Sequence, residues 1–224
     1  MATDLPLSRV QQLLALHPDA PVRVYTLQHP GAVAAARSRG YLTCDPAYAF
    51  EAEDDPSDSD AAGDGFAAAY RWIKDRMAER IDGFSGDFPV FCWLKRPSAK
   101  PLPASFGPMM RVSALVPCRR ILLSWHDGFL TIGNTALFRP PEHFNRTSMA
   151  SAEIMTDDGG ETSRQATETS WHGILDVANP AFWPTRRRAH DLVQACVDRI
   201  YLDEVYSIRS VPTRNPSGKI LQSR

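Results

Sequence analysis

MRVSALVPCRRILLS, Met110 to Ser124, is the stretch that decides the fold. Met110 to Val116 is a mostly apolar stretch halted by Pro117, and Ile121 to Ser124 resumes it. Each run is too short for a helix, and the pair reads as two strands joined by a turn over Val116–Arg120. Working outward, Phe88 to Leu94 and Val205 to Val211 have the same β-branched and aromatic character, and Val22 to Leu27 alternates as a strand does.

Helical periods lie between these runs. Ser8 to Leu16 carries Val10, Leu13 and Leu14 at helical spacing, with Ser8 as N-cap. Ala32 to Arg39 is Ala-rich and stops at Gly40, which suits the left-handed residue after a helix. Phe66 to Ile81 puts Phe66, Tyr70, Ile73, Met77 and Ile81 on one face. Arg188 to Ile200 reads as a further helix. This order is neither a βαβ alternation nor an all-β ladder. It predicts one α+β domain, a mixed or antiparallel sheet flanked by helices. Residues 1–21 are expected as a helical extension, 22–212 as the domain, and 213–224, with Pro216 and Gly218, as a loose tail.

Residues 1–65 hold four arginines against ten acids, whereas residues 184–224 hold eight cations against four acids. Much of the acidic excess sits in Glu51–Asp64, EAEDDPSDSDAAGD, which buries too little to order itself and is expected as a solvated loop. Thr156–Thr169 reads the same way. Over all 224 residues, 43% are hydrophobic and 23% charged, and the formal net charge is −1. Near-neutrality gives no strong nucleic-acid signature. No apolar run approaches the ~18 residues of a membrane span. MATDLPLSRV has no basic stretch leading into an apolar one, so a cytoplasmic protein is expected.

Cys44, Cys92, Cys118 and Cys196 show no zinc-ligand spacing and are expected as free thiols. The six histidines do not pair at helical spacing, and nucleotide-loop, nucleophile-elbow and zinc-protease motifs are missing. No metal is expected. What the sequence has instead is aromatic clusters with polar edges: Tyr25-Thr26-Leu27-Gln28, Tyr70-Arg71-Trp72-Ile73, Pro89-Val90-Phe91-Cys92-Trp93, Leu122 to Asn134, Ser170 to Asp176, and Val193-Gln194-Ala195.

Taken in order from about residue 22 to 212, these clusters resemble the motifs of an uncharacterised bacterial family of unknown function. Tyr25, Phe91 and Phe129 stand where that family usually has Trp. In layout the chain is also similar to ADP-ribosyltransferases. That resemblance implies NAD as substrate, Thr26 at the NAD-anchoring position with Gln28 beside it, and Glu204 as the catalytic acid. A neutral Thr26 stands where that superfamily has a stronger donor. A fixed carboxylate would stabilise the positive charge that builds on the ribose as nicotinamide leaves. Tyr25, Tyr70 and Trp93 would hold the flat ring, and Arg71, Arg23 or Arg96 would supply donors for phosphate.

The residues also admit plainer roles. Glu204 serves equally as a strand-edge acid, Tyr25, Trp93 and Trp125 as core or rim aromatics, and Thr26 and Gln28 as exposed strand positions. Asp127 and Asn134 lie seven apart and would share a helix face, Asp127 as its cap. Two readings follow. One is an NAD-consuming transferase acting on an unknown acceptor. The other is a non-catalytic binding module whose aromatic groove holds a protein, a nucleotide or another small molecule.

Overall fold

The computed structural model describes residues 7–44, 66–97, 100–126, 165–166, 168–178, 193–214 and 220–221. Over these the chain is a single α+β domain built on a six-stranded antiparallel sheet. Helix α1 (Leu7–Leu16) leads into β1 (Pro21–Gln28), α2 (Pro30–Arg39) and β2 (Tyr41–Leu42). Helix α3 (Phe66–Arg80) precedes β3 (Val90–Trp93), β4 (Leu102–Pro103), β5 (Met109–Pro117) and β6 (Leu122–Trp125). The chain closes with β7 (Val193–Val197), β8 (Ile200–Tyr201), β9 (Val205–Val211), β10 (Thr213–Arg214) and β11 (Ile220–Leu221). The main sheet runs β6-β7-β3-β1-β5-β9, with all five pairings antiparallel.

Local chemistry accounts for the helix ends. Pro30 occupies the first turn of α2, where its missing N–H costs nothing. His29 caps that turn, its Nδ1 accepting from the Gly31 N–H at 3.1 Å. Gly40 ends α2 at φ 89°, a conformation open to glycine, and its N–H donates to the Ala36 carbonyl at 2.9 Å. In α3 the buried stripe is Ala69, Ile73 and Met77, with Ile81 just past the end. Each of the larger three contributes ~1.5–3 kcal/mol by leaving water.

The sheet is curled. Strands β5 and β6 stand four inter-strand spacings apart, ~19 Å in a flat sheet. Yet only Cys118–Ile121 joins them, and three of those residues form a 3-10 turn. The five steps from Pro117 to Leu122 reach at most ~18 Å when fully extended, so the two ends of the sheet must bend toward each other. The link from β7 back to β9, by way of β8, joins the same two ends of the sheet.

Three expectations need correction. The helix over Arg188–Ile200 fails, because Val193–Val197 is strand β7, buried throughout between β6 and β3. A strand covered on both faces shows no alternation, so VQACV carries no period to separate it from a helix. Residues 213–224 are not simply loose: β10 pairs with β11 and, in parallel, with β4. Ser8 lies inside α1, which runs from Leu7. The N-terminal extension is also tied down, since the Pro18 and Ala20 carbonyls accept from Arg119 and Cys118 N–H groups. The acidic loop 51–64 lies outside the described residues. Of the polar loop 156–169, Gln165, Ala166, Glu168 and Thr169 are helical and the rest lies outside them. Among the described residues no helix is long and apolar enough to cross a membrane.

Candidate functional site

Directly opposed residues of an antiparallel pair point to the same side of the sheet. The register therefore lines up one row across all six strands: Ser124, Gln194, Trp93, Tyr25, Ser113 and Ser207. The opposite side carries Val22, Val24, Val112, Ala114 and Val116, all buried in the apolar core. The row's side is therefore the polar and aromatic one.

At the β6–β7 end the row is closed by hydrogen bonds. The Gln194 amide donates to Ser124 Oγ at 3.1 Å, and its Oε1 meets His126 Nδ1 at 3.2 Å. Ser124 Oγ also lies 3.4 Å from the Cys196 thiol. Burial pushes that thiol up to about 12. Tyr70 of α3 covers the neighbouring position, its ring edge-on to Phe91 at 5.2 Å. Burial first, and then the Cys44 thiol, raises the Tyr70 phenol well above its usual range.

At the β5–β9 end the row is bordered by charge. Arg111 and Arg209 are directly opposed in register, and Arg111 also opposes Leu27, two residues from Tyr25. Burial, then Arg96, then Arg209 push the Arg111 guanidinium below its ordinary value, while Tyr25 and Tyr206 act the other way. Three guanidinium groups thus share one neighbourhood with two tyrosines. No carboxylate among the described residues pairs with Arg111 or Arg209. Two residues beyond Tyr25 in the other direction, Arg23 lies over the Tyr206 ring, 5.4 Å from its centroid. Leu115 and Tyr206 are exposed on this part of the sheet.

The residues singled out in the sequence separate into groups. Tyr25 and Trp93 come together as Cα partners, Tyr25 buried and Trp93 half-buried. Thr26 and Gln28 fall on the other side of β1, where the Gln28 amide donates to Thr26 Oγ1 at 2.9 Å and Thr26 is buried. Trp125 is also on that side, buried, with its indole N–H lacking an acceptor among the described residues. Arg71 is half-buried on α3. Asp127 and Asn134 lie outside the described residues.

Glu204 has its own setting. Its Oε1 takes the Arg120 guanidinium at 2.6 Å, and its Oε2 accepts the Tyr201 N–H at 2.9 Å. Burial raises its carboxyl above the usual range, against the pull of the Tyr201 N–H and Arg120. Arg120 also donates to the Arg199 carbonyl, approaches Asp198 Oδ1 at 3.6 Å, and lies over the Tyr201 ring. Asp198 in turn accepts the Ser85 and Arg199 N–H groups. These contacts tie the β5–β6 link to the β7–β9 link and to the approach to β3.

The sequence motifs contain Gln194, Ser124 and His126 without assigning them a role, and they leave out Arg111 and Arg209. Arg111 and Arg209 stand inside strands that were legible, but their opposition needs the pairing of β5 with β9, 98 residues apart by number. Among the described residues no group of three or more His, Cys, Asp or Glu side chains is disposed to hold a metal ion. No protein-family model, curated protein or solved structure matches this chain.

Proposed function

We propose that this chain binds a nucleotide-type ligand, a flat ring carrying phosphate, at the Arg111–Arg209 end of the sheet with half-buried Trp93 near it, and that it does so as a binding module. The observation that carries this reading is the in-register Arg111–Arg209 pair near Tyr25, neither of the two with a carboxylate partner among the described residues. Like charges directly opposed across two strands are unfavourable. An anion lying between them turns that repulsion into charge-assisted hydrogen bonds, and phosphate fits the fork of a guanidinium. Half-buried Trp93 offers a ring for stacking nearby.

The transferase reading would need its anchor and its acid on this same face. Thr26 is turned to the other side of β1, and both Glu204 oxygens are engaged by Arg120 and the Tyr201 N–H. Binding without NAD cleavage is therefore the reading we favour.

Thermal unfolding of the full chain with millimolar NAD, ATP or GTP tests it. A ligand at 100 times its Kd adds ~2.7 kcal/mol, which raises the Tm of a chain this size by roughly 5–10 °C. The shift should disappear in Arg111→Gln/Arg209→Gln and persist in Glu204→Gln. No shift with any nucleotide overturns the proposal. Nicotinamide release from NAD that is lost in Glu204→Gln restores the transferase.

A further inference from the structure

Strand β9 ends the order β6-β7-β3-β1-β5-β9, and among the described residues no strand bonds its outer edge. The other end of the sheet, β6, is buried throughout, whereas Tyr206, Arg209 and Ser210 of β9 are exposed. The Leu115 N–H donates to the Glu204 carbonyl at 3.0 Å, so the odd-numbered residues of β5 direct their main-chain groups at β9. Their partners Ser207, Arg209 and Val211 direct theirs back at β5. Tyr206 is the extra residue where the register shifts between Ser113 and Ala114. Ile208 and Ser210 therefore turn N–H and C=O outward. The Pro212 carbonyl accepts the Leu102 N–H, which closes the edge at that end. The open stretch is Tyr206 to Ser210, and a row of main-chain donors and acceptors is complementary to another extended main chain.

We infer that this edge takes an extended acidic segment of a partner protein as an added antiparallel strand, with a Glu or Asp opposite Arg209. Antiparallel addition continues the pairing of the whole main sheet. Directly opposed residues share a side and lie ~4.5–5.5 Å apart at Cβ. Arg209 already faces Arg111 on its inner side, and neither has a carboxylate partner among the described residues. A carboxylate on the outer side of Arg209 offsets that repulsion, whereas a cation there would put three in line. The charge that guards the edge against most strands thus selects an acidic one. Ile208 packs partly against the apolar core, so an apolar residue opposite it extends that layer. A second copy of β9 fits poorly, because it brings a further Arg209 to the same cluster. The inference goes beyond the nucleotide reading. The two share Arg111 and Arg209, for which a peptide carboxylate and a phosphate compete.

The test is fluorescence anisotropy with the full chain and a fluorescein-labelled peptide, valine-glutamate-valine-threonine-valine between glycine-serine flanks. Its glutamate falls opposite Arg209 when its valines oppose Ser210, Ile208 and Tyr206. It should bind about fivefold more tightly than the same peptide with lysine for glutamate, and Arg209→Glu should reverse that preference. Ser210→Pro removes an outward N–H and spares the bonds to β5, as an edge strand permits. It should weaken peptide binding by about fivefold or more, with circular dichroism and Tm retained, and Ser210→Ala should bind as the parent does. Should Ser210→Pro lower the Tm, the reversal in Arg209→Glu decides alone. Equal binding of the glutamate and lysine peptides overturns the inference, as does binding that Ser210→Pro leaves intact in a folded chain. Dimerisation seen by sedimentation and lost in Ser210→Pro, without peptide binding, overturns it in favour of self-pairing of β9. Neither peptide binding nor self-association overturns it too, and Arg209 then only guards a bare edge. A Tm shift with ATP or NAD but no peptide binding overturns this inference alone. Peptide binding with no nucleotide shift overturns the nucleotide reading alone.

Discussion

Two sets of arginines sit on this fold under opposite terms. Arg120, only 14% exposed at its side chain, meets Glu204, the Arg199 carbonyl, Asp198 and the Tyr201 ring. Arg111 and Arg209 face each other, and neither has a carboxylate partner among the described residues. A charge whose donors are satisfied within its own chain holds the chain together. A cluster whose charges repel does not hold the chain together, and on the proposed reading an anionic ligand offsets the repulsion. The difference turns on what surrounds the guanidinium, not on how many arginines are present.

The largest expected effect breaks the first set. Arg120→Ala leaves two carboxylates in the interior without their cation, and removing one partner of such a group costs ~3–5 kcal/mol. Urea unfolding should register that loss, and a cost under about 1 kcal/mol would mean that water already solvates Glu204. Next in size, Glu204→Gln keeps the shape and removes one charge-assisted hydrogen bond, for a loss of ~1.5–3 kcal/mol. Ligand binding should be unaltered.

A third interior group is compensated by staying neutral. The Cys196 thiol is pushed up to about 12 from its ordinary 9.0 by burial. Above pH ~9 the unfolded chain ionises this thiol while the native one keeps its proton. Its share of stability is whole below pH 9 and is lost as pH rises toward 12, by ~1.4 kcal/mol per unit. Cys196→Ala should flatten that part of an alkaline unfolding profile. The smallest effect has the opposite sign from the first. Arg111→Gln relieves a like-charge pair and should stabilise the free protein by ~0.2–1 kcal/mol, a gain that should shrink in 1 M salt. Destabilisation by Arg111→Gln at low salt would erase the distinction between the two sets.

The sequence made legible what depends on neighbours along the chain. The halt of α2 at Gly40 follows from one residue type, and β9, Val205–Val211, from a β-branched and aromatic run with clear limits. Strand β7 was illegible because Val193–Val197 is buried on both faces and so carries no alternation. Glu204 stood out as an acid before a strand, but its partner Arg120 is 84 positions away and only the fold unites them. Ring chemistry alone points to Tyr25 and Trp93, and the register pairs them. The same register turns Thr26 to the other side, because neighbours in a strand face apart.

The placement of β7 bears on how the chain reaches this fold. Strands β3 and β6 are both made before residue 130, yet neither bonds the other; both wait for Val193–Val197 to enter between them. Contacts so distant in sequence form slowly, since a long loop must close before any of them is rewarded. While the chain is being synthesised, two apolar strand edges therefore stand open until Val193–Val197 emerges. A chain cut short before Val193 would keep both edges for good and should recruit other chains to cover them.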